Sequence, residues 1–491
     1  MSLLDRFRGS REQPAEDPLL VELRAALAPD RVRIDSAQRS LFSRDASVFD
    51  GGVAGLVCYP ISTAEVVSIA TIAERHQRAI VPRGAGTGLA GGGIPLGAPV
   101  VIALTKMKEI VEIDEANGVA WVEPGVINLD LTRYLAPLGY HFAPDPSSQQ
   151  VCTIGGNVAN NSGGPHCLAY GVTNAHVVAL EIVTASGEVL MLGGLDAEPD
   201  GYDLRGVFIG SEGTLGVTTK VAVRLTKNRP AVRTLLLSFN TVRDAANTVS
   251  AVIAAGIVPA AMEVMDQKMT GAVENYVGAG YPTDAAAVLL AEVDGAEEGV
   301  DIDAQHIRDI GIEHDAIEVR LAADDAERAL LWKGRKTAFG AIAQIAPDYY
   351  LHDTVVPRAQ LADVLEKIYA IGDKYDLLIM NVLHAGDGNL HPLIVFDGRI
   401  EGVLERVHAA GAEIITTSLE AGGVLSGEHG IGVEKQRFMD LLFTSDDLDH
   451  QSRLRRAFDP ACRANPGKVL PMGHSCADIQ QLRSVPTGVW G

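Results

Sequence analysis

Leu19, Leu20, Leu23, Ala26 and Leu27 fall on a helical spacing within an otherwise polar start, which predicts a helical N-terminal segment over 1–50. From Gly51 the pattern changes to short apolar runs separated by glycine turns. Val57-Cys58-Tyr59-Pro60 ends a strand, and Ser62 or Thr63 caps a helix through Ile72 and Ala73. Ala79-Ile80-Val81-Pro82 is a further strand that runs straight into a glycine-rich loop. Val177–Val183 and Gly187–Leu190 carry the same pattern to about Leu225. The charged, proline-containing stretch from Lys227 to Val232 reads as a boundary. Beyond it, Leu235–Phe239, Ala287–Glu292 and Leu377–Val382 are predicted strands and Gln360–Ile371 a predicted helix. The expected class is α+β: a glycine-rich domain over 51–228, a second α+β domain over 229–474, and a loose tail over 475–491.

A chain of 491 residues is too long for one hydrophobic core, in agreement with that division. The formal net charge of -22 excludes the basic stripe that a nucleic-acid partner requires. Cys58, Cys152, Cys167, Cys462 and Cys476 form no CxxC, which excludes an iron–sulfur cluster on a local cysteine run and fits a reducing cytoplasm. The start, Met1 to Arg8, turns charged before an apolar run develops, so no signal peptide is expected there. No apolar stretch is long enough to span a bilayer.

Pro82-Arg83-Gly84-Ala85-Gly86-Thr87-Gly88 continues through Leu89 and Ala90 to Gly91-Gly92-Gly93, and so contains G-x-G-x-x-G at Gly86, Gly88 and Gly91. A dinucleotide-binding βαβ unit needs a helix to begin there. The following Gly92 to Pro99, with two prolines, cannot form one. Successive glycine N–H groups can instead form a nest for a pyrophosphate. Pro144 to Ser148, Thr153 to Gly164 and Ile209 to Val217 combine small residues with amide and hydroxyl side chains. Such segments allow backbone to approach a flat ring system.

Two stretches carry candidate chemistry. Asn381 to His391 reads as a strand, an Asp387-Gly388 turn and a second strand, with His384 and His391 opposite each other near the open end. Ser426-Gly427-Glu428-His429-Gly430-Ile431-Gly432 follows later. His384, His391 and Glu428 together suit a divalent metal such as zinc, manganese or iron, with His429 beside whatever the metal holds. Histidines near a turn also occur simply hydrogen-bonded to backbone.

Taken together, these motifs resemble the FAD-binding domain of the vanillyl-alcohol oxidase type, built from two subdomains, followed by a substrate or cap domain. From about Asp45 to Pro471 the chain is similar to the FAD-linked 2-hydroxy acid dehydrogenases, in the branch of the glycolate oxidase D subunit and D-lactate dehydrogenase. The resemblance implies that the Pro82–Gly88 loop wraps the FAD pyrophosphate. It places Pro144, Ser148, Thr153, Gly155, Gly156, Asn160, Asn161, Gly164, Ile182, Glu212 and Gly213 around the cofactor, with Asn465 and Lys468 returning to it from the C-terminus. Relatives with covalent flavin carry a histidine at the place of Thr87, so non-covalent FAD is expected.

The implied reaction is oxidation of glycolate or D-lactate to the 2-oxo acid, with hydride passing to flavin N5, His429 as base and the metal assisting. Arg335 matches the arginine that pairs with the substrate carboxylate, and Asn389 is a substrate contact or a residue serving only the turn. Leu351 stands where D-2-hydroxyglutarate dehydrogenases have a lysine, which favours a short monocarboxylate over that alternative. Electrons would leave to a partner subunit, a quinone, a cytochrome or oxygen. A metal-dependent hydrolase and a non-catalytic flavin-binding subunit are the readings from other classes.

Overall fold

The computed structural model describes residues 17–49, 51–195 and 201–474; the predicted tail over 475–491 lies outside them. Three sheets form the frame. The first has the order Val32–Arg33, Leu56–Cys58, Val100–Ala103, Ile80–Arg83, its last three strands parallel. Parallel strands covered on both faces read as unbroken apolar runs, and Val100, Val101, Ile102 and Ala103 are all buried. Ser62 caps the Thr63–Arg75 helix by accepting from Glu65 N–H. That helix lays Val66, Ile69, Ala70 and Ala73 on the sheet.

The Pro18–Ala26 helix is not a separate unit. Leu19, Leu20 and Leu23 enter the core of this first sheet beside Leu56 and Ile69.

The second sheet is antiparallel, in the order Ile110–Asp114, Val119–Val122, Val217–Arg224, Val177–Val183, Val189–Gly193. The boundary expected at 227–232 falls where the Ala231–Phe239 strand opens the third sheet. That sheet is antiparallel and eight-stranded. Its middle consists of Ala287–Gly295, Ala261–Asp266, Leu378–His384 and Asn389–Phe396. The chain then returns to its beginning. Ile80 N–H donates to Arg463 O and Asn465 N–H to Ile80 O, a parallel bridge that sets the C-terminal segment on the edge of the first sheet.

The glycine-rich loop after Ile80–Arg83 holds no helix, as its composition requires. Among the described residues no helix is long and apolar enough to cross a membrane. Cys58, Cys152 and Cys167 are free thiols, whereas Cys462 is disulfide-bonded, so the cysteines do not speak uniformly for a reducing compartment.

Candidate active site

A cavity of about 420 Å³ lies between the glycine-rich half and the third sheet. One wall is the whole Pro82–Gly88 segment, with Ser148, Thr153, Gly155, Gly156, Asn160, Glu212 and Gly213. The other end is closed by Lys336, Phe339, Glu428 and His429. Thr153 caps the Ile154–Asn160 helix and its hydroxyl packs under Gly84, where a Cβ would come within 2.5 Å of Oγ1. Gly88 has only distant neighbours, so its backbone is open to the cavity. A chain of small residues this close to an elongated space fits a large flat cofactor with a phosphate tail.

Several predicted cofactor residues build the wall rather than face the space. Arg83 is buried and spends its guanidinium on Gly93 O and Arg44 O, which fixes the loop and leaves anion binding to backbone N–H groups. Pro144 O accepts from Asn128, and Ile182 lies in the core of the second sheet. Asn161 ends the Ile154–Asn160 helix in the left-handed region at φ 51°, and Gly164 packs on Asp145. Asn465 donates to Gly92 O and Glu212 O, and Lys468 donates to Ile94 O. These last two tie the C-terminal return to the glycine-rich loop.

The two histidine motifs meet. The hairpin turn is longer than the expected Asp-Gly pair: Ala385–Asp387 forms a 3₁₀ turn and Gly388 follows at φ 72°. The register therefore pairs His384 with Asn389 and Val382 with His391. His384 and His391 are thus diagonal neighbours on one face, at the turn end rather than opposite each other at the open end. Their rings stand 5.1 Å apart. His384 Nε2 and His391 Nε2 lie 3.4 and 3.3 Å from the same oxygen, Glu428 Oε1. The other ring nitrogen of each is backed by an acceptor: His384 Nδ1 by Glu263 Oε1 at 2.7 Å, and His391 Nδ1 by His352 O at 3.3 Å. Two imidazoles fixed in this way beside one carboxylate form a group that could hold a metal ion.

His429 completes the group. Its ring stacks on His391 at 5.0 Å and its Nε2 lies 3.7 Å from Glu428 Oε1. Burial and the neighbouring His391 push its pKa down to about 4, against the opposing pull of Asp353 and Glu428, so the imidazole is neutral and able to accept a proton. Arg335 is 1% exposed and pairs with Glu263 at 2.5 Å. Its Nε and Nη1 are buried without a hydrogen-bond partner, as is Asn389 Oδ1. Orphaned donors and acceptors of this kind call for a ligand.

Three carboxylates hold this arrangement, and only Glu212 comes from a segment singled out in the sequence. Asp353, 1% exposed, accepts from the N–H groups of Gly427, Glu428 and His429 and from Ser426 Oγ. Lys435 Nζ meets it at 3.2 Å. Asp353 thus shapes the loop, and one of its oxygens also lies within 4.8 Å of a ring nitrogen of His391 and of His429. Glu263 sits inside the buried strand Ala261–Asp266, where a carboxylate between Met262 and Val264 is the one clue to its role. Glu212 reaches from the glycine-rich half and accepts from Ile431 and Gly432 N–H, while Asn160 donates to His429 O. Gly432 is at φ 52°, and a Cβ there would stand 1.9 Å from Ala90 O. Gly432→Ala is expected to destabilise by on the order of 1–3 kcal/mol and to weaken cofactor retention, read as a lower melting temperature and a lower flavin-to-protein ratio.

Residues 54–193 match the FAD binding domain and residues 229–469 the C-terminal domain of FAD linked oxidases. The chain is 45% identical to the glycolate oxidase subunit GlcD of Escherichia coli K12, over 86% of this chain and 85% of that protein. The chain belongs to the FAD-linked oxidase family. It is 41% identical to GlcD of Bacillus subtilis, over 90% of this chain and 94% of that one. To D-lactate dehydrogenase of Anaerostipes hadrus it is 30% identical, over 92% and 97%. This FAD-linked oxidase superposes on p-cresol methylhydroxylase with a TM-score of 0.78 at 17% identity, covering 93% of this chain and 97% of that one. With alkyldihydroxyacetonephosphate synthase the TM-score is 0.72 at 19% identity, over 93% and 85%. These likenesses show the expected fold of the vanillyl-alcohol oxidase type. The protein is an FAD-dependent oxidoreductase.

Proposed function

We propose that this enzyme oxidises a short 2-hydroxy acid, glycolate or D-lactate, to the 2-oxo acid. The observation that carries the reading is the convergence of His384, His391, Glu428 and His429, of which Glu428 and His429 line the glycine-walled cavity, with the buried Arg335 beside His384. Bound FAD supplies the acceptor for the hydride leaving the substrate α-carbon. A divalent metal, held by His384, His391 and Glu428, supplies a Lewis acid for the hydroxyl and carboxylate oxygens. Arg335 anchors the carboxylate through its free Nε and Nη1, and its pairing with Glu263 keeps the guanidinium from turning away. His429 takes the hydroxyl proton at Nε2. Asn389, through its unpartnered Oδ1, orients the hydroxyl. The cofactor wall is the glycine-rich surface with Thr153, Asn160 and Glu212, and Thr87 at its centre offers no imidazole for a covalent flavin bond.

Leu351 is buried in an apolar cluster beside Phe339 and Leu393, so no cation awaits a second carboxylate at that place. This favours a monocarboxylate over 2-hydroxyglutarate. Two of the relatives are by name subunits, which supports a companion subunit as electron acceptor.

Anaerobic mixing with glycolate or D-lactate is expected to bleach the flavin absorbance, and prior chelation to slow that bleaching at least ~10-fold. A yellow protein bleached by neither acid would sink the chemistry. A colourless protein that takes up no FAD would sink the cavity assignment as well.

A further inference from the structure

His166 takes no part in the chemistry above, yet its two ring nitrogens face two carboxylates from different halves of the molecule. Nδ1 lies 2.9 Å from Asp145 Oδ2, in the glycine-rich half, and Nε2 lies 3.3 Å from Glu292 Oε1, on the Ala287–Gly295 strand of the third sheet. A neutral imidazole can donate from only one nitrogen, so satisfying both carboxylates requires the imidazolium. Burial opposes that charge, but Asp145 and Glu292 outweigh it and push the imidazole pKa up to about 10. Both carboxylates also grip one helix, Asp325–Lys336, Asp145 through the same Oδ2 and Glu292 through its other oxygen. Lys336 Nζ donates to Asp145 Oδ2 at 3.1 Å, and Trp332 Nε1 donates to Glu292 Oε2. The Trp332 ring also lies over His166 at 5.3 Å. Arg335 stands between these two anchors in sequence.

We propose that the Asp145–His166–Glu292 bridge is a latch between the two halves, and that His166 is a positioning residue which sets the Arg335 helix against the flavin cavity. It rests on the proposed reaction for its catalytic consequence, since Arg335 there holds the substrate carboxylate. A displacement of about 1 Å at a reacting centre can lower a rate by roughly two decades, so a latch far from the chemistry suffices to control it. The bridge also explains why Glu292 lies buried in an apolar strand, with Thr234 satisfying its second oxygen at 2.6 Å.

The test uses the FAD-loaded enzyme with His166→Gln, Glu292→Gln, the double variant, and Trp332→Phe, which keeps an aromatic ring and loses only the N–H. Each single variant is expected to retain FAD and metal. Flavin reduction at saturating hydroxy acid should slow by roughly 10- to 100-fold, with substrate affinity changed less than about 3-fold. The double variant should be no slower than the slower single one, because both remove the same bridge. Reduction at the wild-type rate in His166→Gln, or single effects that multiply in the double, would overturn the latch. If His166→Gln does not fold, Glu292→Gln and Trp332→Phe decide by the same criterion. If the wild type is reduced by no hydroxy acid, the proposed reaction fails by itself. The latch is then judged on melting temperatures: shifts that do not add support it, and additive shifts overturn it.

Discussion

Anaerobic flavin reduction by the hydroxy acid in His429→Ala is expected to be slower by about two or more decades, with FAD and metal still bound. The retained metal is as informative as the lost rate. His429 stacks on His391 and groups with it and Asp353, yet the donor atoms proposed for the metal are those of His384, His391 and Glu428. Removing the His429 ring therefore leaves the metal donors and their supports, Glu263 and the His352 carbonyl, in place. Stopped-flow spectroscopy gives the rate, and metal analysis of the same sample gives the occupancy. An unchanged rate would remove His429 as the base. Loss of metal along with the rate would make it a ligand instead.

The second large effect is expected at Asp353. Asp353→Ala takes away the acceptor of three consecutive backbone N–H groups and leaves the buried Lys435 without its counter-charge. Stranding one member of a buried ion pair costs about 3–5 kcal/mol. Burial disfavours the Asp353 carboxylate, but Lys435 and the neighbouring histidines hold its pKa well below the usual carboxylate range. The expected result is a protein with a markedly lower melting temperature, poor metal retention and no flavin reduction. Adding Lys435→Met should recover part of the stability, because the stranded charge goes, but not the metal, because the loop amides remain unpaired. A variant that melts like the wild type and keeps its metal would show that the loop holds its shape without the aspartate.

The contrast between Glu428 and Asp353 shows what a single sequence discloses. Glu428 and His429 announce themselves because glycines flank them on both sides, and chemistry-bearing side chains among glycines stand out. Asp353 works on main-chain N–H groups, the Ser426 hydroxyl and the Lys435 ammonium, all more than seventy positions away, so no local pattern betrays it. Glu263 is intermediate: a carboxylate between Met262 and Val264 in a buried strand is anomalous, but its partners Arg335 and His384 become known only once the sheet is ordered. The main strands and helices were legible, since Val177–Val183 and Thr63–Arg75 follow the simple periods of two-sided burial and amphipathic helix. The His384–His391 register was not. It depends on four turn residues rather than two, and Asp387-Gly388 suggests the shorter turn. Arg83, Asn465 and Lys468, which the resemblance assigns to the cofactor, use their side chains to grip backbone carbonyls.

The C-terminal return to Ile80 has a bearing on how the protein is made. The glycine-rich loop is translated well before Asn465 and Lys468, which pin it at Gly92 and Ile94 from 373 and 374 positions further along. The cofactor wall is therefore unpinned over that stretch of synthesis. These pins can close only after the chain has been made as far as Lys468, so the loop reaches its final shape after both domains are synthesised rather than with the first.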